Sequence, residues 1–193
     1  MKFARAIIIF GIAGLVSGIL SSVTFSFLHS LSFAFMPGVI FGFALVCALW
    51  IFERRVIKLA RSLIFIPTAG IIYLISAIPL VASAIGSIGG DAAPVCGSGF
   101  FGCIQPVAVG IDGALGAFIL SLVFALIYPR IKLINSLYLT ILGGVFGFLG
   151  AFITTTKDPT FFFILWQTVV ALGFGMSIKH QGLDLKEGDQ VIG

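Results

Sequence analysis

Long apolar runs separated by short polar gaps set the pattern of this chain. Six of them cover residues 4–24, 36–52, 62–86, 107–128, 137–156 and 161–178. Each has the roughly 17 to 25 residues that a helix needs to cross a bilayer. In hydrocarbon the backbone must satisfy its own polar groups, so continuous apolar runs of this length predict helices. The short alternating segments of a transmembrane barrel are absent. The predicted fold class is therefore an all-α polytopic membrane protein, a bundle of six transmembrane helices. Pro67 and Pro79 fall within the third run and predict kinks there.

The polar gaps predict an orientation. Lys2 and Arg5 precede the first span, Arg54, Arg55, Lys58 and Arg61 follow the second, Arg130 and Lys132 follow the fourth, and Lys179 and Lys186 follow the sixth. With six spans all of these fall on one side, and of the 11 Lys and Arg only Lys157 falls on the other. Basic residues collect on the cytoplasmic side, so both termini are expected there, in the cytoplasmic membrane of a bacterium or archaeon. Residues 87–106 then form an extracytoplasmic loop and residues 179–193 a short polar cytoplasmic tail. Trp50, Tyr128 and Tyr138 sit near the inner ends of their spans, where amphipathic rings favour the interface. The basic start and apolar middle of residues 1–22 also fit a cleaved signal peptide. The apolar run is long for that role and no A-x-A-like site follows, which favours a retained first helix.

Composition narrows the picture further. The chain is 60% hydrophobic and 9% charged, with a mean hydropathy of +1.22. Soluble domains carry about 25% charged residues, so lipid is the expected partner of most of this surface. The net charge of +4 does not point to nucleic acid, because the basic residues fall in short groups between apolar runs and form no patch. No nucleotide loop, HExxH pair, haem-pairing histidines or nucleophile elbow is present, so no cofactor is expected and no motif points to an enzyme activity.

Two short motifs recur. GIAG at 11–14 resembles GIDG at 110–113, and FGF at 41–43 recurs at 146–148. The offsets are 99 and 105, which a loop insertion would reconcile. Three spans is an odd number, so a duplication would make a 3+3 inverted repeat, an arrangement common among transporters. With 24 Gly and 21 Phe in the chain, chance supplies such matches too. Gly14 with Gly18, and Gly143 with Gly147, also form GxxxG pairs that let helices approach closely. They serve either packing within the bundle or docking of a partner, be it another membrane subunit or a second copy of the chain.

Few polar groups lie within the spans, and Asp112 is the most informative. It sits about 8 Å below the expected outer end of the fourth helix, at 1.5 Å per residue. A carboxylate facing lipid there is costly, so it either faces the bundle as an ion- or substrate-binding group or caps a helix that starts beside it. Gln167 lies at a matching depth of roughly 9 Å in the sixth span, beside Trp166 and Thr168. Its amide would hydrogen-bond Asp112 if the fourth and sixth helices touch. Ser21, Ser22 and Thr154 belong to the same outer half, and together these residues would line an outward-opening polar pocket. Serine and threonine are also ordinary inter-helix glue. His29 has no histidine at i+3 or i+4, so no metal site is expected.

Cys96 and Cys103 lie in the outer loop, where oxidation is the default. A disulfide between them would constrain the approach to the fourth helix and contribute about 2.5 kcal/mol by the chain-entropy estimate. Their C-x6-C spacing differs from the C-x-x-C of thiol catalysts, and zinc would find only Asp91 as a further ligand. Cys47 falls in the second span, where a buried thiol is inert.

Three functions remain open. The first is a small-solute or ion transporter, or a substrate-binding membrane subunit. The second is a non-catalytic structural subunit or assembly factor of a larger membrane complex. The third is a membrane thiol-disulfide oxidoreductase, which rests on the outer cysteine pair alone.

Overall fold

The apolar runs become six α-helices in the computed structural model. They are α1 (Lys2–Phe27), α2 (Ser32–Phe52), α3 (Leu59–Ile88), α4 (Pro106–Ile127), α5 (Leu133–Ile153) and α6 (Thr160–Gly188). The structure describes these helices with residues 128 and 131, and the side chains of residues 4–24, 35–52, 60–76, 108–128, 131, 134–150 and 160–178. Residues 4–24 of α1, 35–52 of α2, 108–127 of α4 and 160–178 of α6 are each long and apolar enough to cross a membrane. The described parts of α3 and α5 supply shorter apolar stretches, Ala60–Ser76 and Ile134–Gly150.

Each helix packs against the next in chain order, and α6 closes onto α1 to complete a ring. The closest pairings are α4 with α5 and α1 with α6. Glycine makes both possible. A Cβ on Gly14 would stand 2.6 Å from the Gln167 carbonyl oxygen and 2.7 Å from Thr168 Cα, and one on Gly18 would stand 2.6 Å from Ile164 Cα. On the other side of the ring Gly113 of α4 and Gly143 of α5 lie directly against each other, and a Cβ on either would collide with the carbonyl of the other. Without hydrophobic force between helices in lipid, this backbone approach supplies the dispersion contact that holds them.

The interior of the ring is aromatic. Phe10, Phe41, Phe65, Phe124, Trp166 and Phe174 are buried in one cluster with Leu45, Leu49, Leu120, Leu139 and Val170. Phe124 meets Phe174 at 4.6 Å between ring centroids and Phe65 at 5.5 Å. The outside is equally apolar: Ile8, Ile12, Val16, Ile19 and Val23 line one exposed face of α1, and Ile134, Ile141 and Val145 are exposed on α5. In water such a surface would be a liability, whereas hydrocarbon solvates it.

The polar stretch after residue 178 begins in helix, because α6 continues to Gly188. The third helix runs from Leu59 to Ile88, within three residues of the expected 62–86 at each end, with Pro67 and Pro79 inside it. One expectation needs correction. Tyr128, expected at the interface, is 2% exposed and belongs to the core, while Trp50 and Tyr138 are exposed.

Candidate functional site

Two polar positions lie near the N-terminal ends of α4 and α6. Asp112 is six residues past Pro106, and Gln167 is seven past Thr160. At 1.5 Å per residue these are depths of about 9 and 10 Å along their helices. Because α4 starts at Pro106, Asp112 lies in its second turn and does not cap it.

The two residues share a level but not a bond. Gln167 is fully buried and turns toward α1, where its Nε2 donates to Ser21 Oγ at 3.0 Å. Its Oε1 lies 3.4 Å from the same hydroxyl. Ser22, also buried, donates to the Ile19 carbonyl at 2.7 Å. Thr168 borders the same α1–α6 seam, where its Cα faces Gly14, and its buried hydroxyl has no hydrogen-bond partner among the described residues.

Asp112 occupies a different corner. One turn along its face, a Cβ on Gly116 would stand 3.4 Å from Ser76 Oγ of α3. The adjacent Gly113 meets Trp166 of α6: a Cβ there would stand 2.9 Å from the indole Nε1. The turn of α4 that carries Asp112 therefore borders α3 through Gly116, and α5 and α6 through Gly113. Both carboxylate oxygens are buried and accept no hydrogen bond among the described residues. That is the expensive way to hold a carboxyl group away from water. The described cations do not relieve it. Arg61 donates to the Leu126 carbonyl at 3.3 Å, fourteen residues or about 21 Å along α4 from Asp112. Arg5 stands next to Ala6, whose carbonyl faces Gly175, nine residues or about 14 Å along α6 from Trp166.

Trp166 joins the two corners. Its Nε1 donates to the Gly143 carbonyl of α5 at 3.0 Å, which fixes the ring across the Gly113–Gly143 contact. Tyr73 stands T-shaped to its ring at 5.4 Å between centroids, and Phe41 lies tilted against it at 6.0 Å. Tyr73, midway along α3, also turns its phenol toward the Gln167 amide, but the geometry does not complete a hydrogen bond and the hydroxyl is left without a partner among the described residues. Tyr73 was not anticipated from the sequence. The available signal was a phenol in the middle of a span, away from the interfaces where tyrosine usually sits.

All four glycines of the GxxxG pairs face helices of the same chain: Gly14 and Gly18 face α6, and Gly143 and Gly147 face α4. Cys47 is free and half-buried in α2. Cys96, Cys103, Asp91, His29, Thr154 and Lys157 lie outside the described residues. Comparison with family models, curated proteins and solved structures finds no match.

Proposed function

We propose that the protein is a small-solute or ion transporter, or the substrate-binding membrane subunit of one, with six spans and both termini in the cytoplasm. One observation carries this reading: the Asp112 carboxylate is buried without a hydrogen-bond partner among the described residues, in the second turn of a helix able to span a membrane. An intramembrane acid left in that state is costly, and such groups are kept for ion and substrate pathways. Tyr73, Trp166 and Gln167 supply further polar and aromatic groups at its level. A Cys96–Cys103 disulfide in the outer loop would steady the entry to α4.

The reading does not lean on the 3+3 repeat. The glycines of GIAG seat α6, whereas those of GIDG seat α5, so the matched motifs serve different neighbours. A purely structural subunit would need a docking face, and Gly14, Gly18, Gly143 and Gly147 are occupied by helices of the same chain.

The test is a screen of ionic and polar solutes for thermal stabilisation of the purified protein, run in parallel on Asp112→Asn. At least one solute should stabilise the wild type and not the variant. If the two respond alike to every solute and Asp112→Asn supports normal growth wherever the protein is required, the reading is wrong.

A further inference from the structure

The six helices fall into three tightly joined pairs, α1 with α6, α2 with α3 and α4 with α5. From this we infer a conformational device: the α4–α5 hairpin moves as one rigid unit against the other two pairs, opening along the α3–α4 and α5–α6 seams. The inference stands on packing and goes beyond the transport reading, which names a site and no motion.

The pairs are set by where backbone meets backbone. Among the described glycines, each one whose Cβ would stand under 3.0 Å from the backbone of another helix does so inside one of these three pairs. Gly14 and Gly18 of α1 meet α6 in this way, and Gly113 and Gly143 join α4 to α5. A Cβ on Gly147 of α5 would stand 2.8 Å from the Val109 carbonyl oxygen of α4. One on Gly38 of α2 would stand 2.6 Å from the Ala69 carbonyl oxygen and 2.8 Å from Gly70 Cα of α3. Backbone has no rotamers with which to follow a moving neighbour. Two helices in such contact therefore lose their dispersion attraction as soon as they part, and they stay together.

The two edges of the hairpin are built otherwise. The α3–α4 and α5–α6 seams are the sparsest contacts between neighbours around the ring. Side chains carry the contacts across them. On the α3 edge Phe65 meets Phe124 at 5.5 Å between centroids, and Arg61 reaches the Leu126 carbonyl at 3.3 Å. Gly116 there faces only the Ser76 side chain, 3.4 Å from its Cβ position. On the α6 edge the Leu139 and Leu142 side chains cover Gly173, and the Phe162 ring covers Gly150. Asn135 Nδ2 donates to the Ser177 carbonyl at 3.4 Å, and Trp166 Nε1 to the Gly143 carbonyl at 3.0 Å. Side chains can change rotamer and re-form such contacts after a small shift, which is how packed helices shear past one another. The hairpin is thus stiff inside and compliant at both edges. Opening the α3 edge uncovers the face of α4 that carries Gly116 and, one turn earlier, Asp112.

The experiment measures distances between spin labels by double electron–electron resonance, on the full chain in lipid nanodiscs. The background carries Cys47→Ala, Cys96→Ser and Cys103→Ser, and cysteines for labelling replace exposed apolar residues. Ile111 with Leu137 reports within the hairpin, Ile8 with Phe161 within the α1–α6 pair, and Ile8 with Leu126 between the two. The three pairs are measured in this background and again with Trp166→Phe or Asn135→Leu added, each of which removes one donor from the α5–α6 seam. The two internal pairs should give a single narrow distance throughout. The Ile8–Leu126 pair should show a second population displaced by about 2 Å or more, in the background or once a donor is removed. A single narrow Ile8–Leu126 distance in every protein that remains monodisperse overturns the inference. So does an internal pair that broadens as much as the Ile8–Leu126 pair. The solute screen on Asp112→Asn is read separately, so a rigid hairpin would leave the transport reading standing.

Discussion

The α1–α6 seam and the Asp112 corner treat buried polar atoms in opposite ways at nearly the same depth. At the seam, Gln167 and Ser21 satisfy each other, and the helices around them meet backbone to backbone across Gly14 and Gly18. At the corner, Asp112 is half-buried, and neither of its buried oxygens is engaged among the described residues. A satisfied pair specifies which helices meet, and a modest gain in stability is all it needs to offer. A polar group held at a cost calls for another reason to exist, and functional sites are where such costs persist.

That contrast can be broken most forcefully through the framework that holds the corner. Gly143→Leu would drive a side chain into the Gly113 carbonyl and Ala117 and displace Trp166 from its hydrogen bond. A cost of about 3 kcal/mol or more is expected, seen as loss of the monodisperse peak in size-exclusion chromatography. A Gly143→Leu protein that elutes and melts like the wild type would mean that the corner is not rigidly built. Asp112→Asn should move the other way. It removes a buried charge, so the melting midpoint should stay level or rise by about 2–4 °C for each kcal/mol relieved, even as ligand response is lost. A marked fall in the midpoint would make Asp112 structural and erase the contrast. The smallest effect belongs to the seam. Ser21→Ala should cost about 0.6 kcal/mol, measured by thermal unfolding in detergent, and leave ligand response intact. A loss of response there would place Ser21 in the site.

Much of this was legible in the sequence, because lipid imposes a simple rule on length and polarity. The six runs, their approximate bounds and the matching depths of Asp112 and Gln167 follow from counting along the chain. What counting does not supply is the rotation of each helix about its axis. Gln167 faces Ser21 and not Asp112 because Gly14 and Gly18 draw that side of α6 against α1, and several glycine faces competed for each neighbour. Tyr128 was misjudged and Tyr73 missed for one shared reason: position along a span indicates the interface only when the ring points outward, and both rings point in. The stretch after residue 178 read as a tail because it is polar. Its Lys, Glu, Gln and Leu are good helix formers, however, and extending an existing helix requires no new nucleus.

The closure of α6 onto α1 has a consequence for how the protein is made. The Gly18 groove of α1 is filled by Ile164, which is synthesised 146 residues later. At about 5 to 20 residues per second that is a wait on the order of ten seconds. Throughout that time the first helix stands in the membrane with its backbone groove open and Ser21 lacking the amide it will later receive. The helix that seals α1 is thus made long after it.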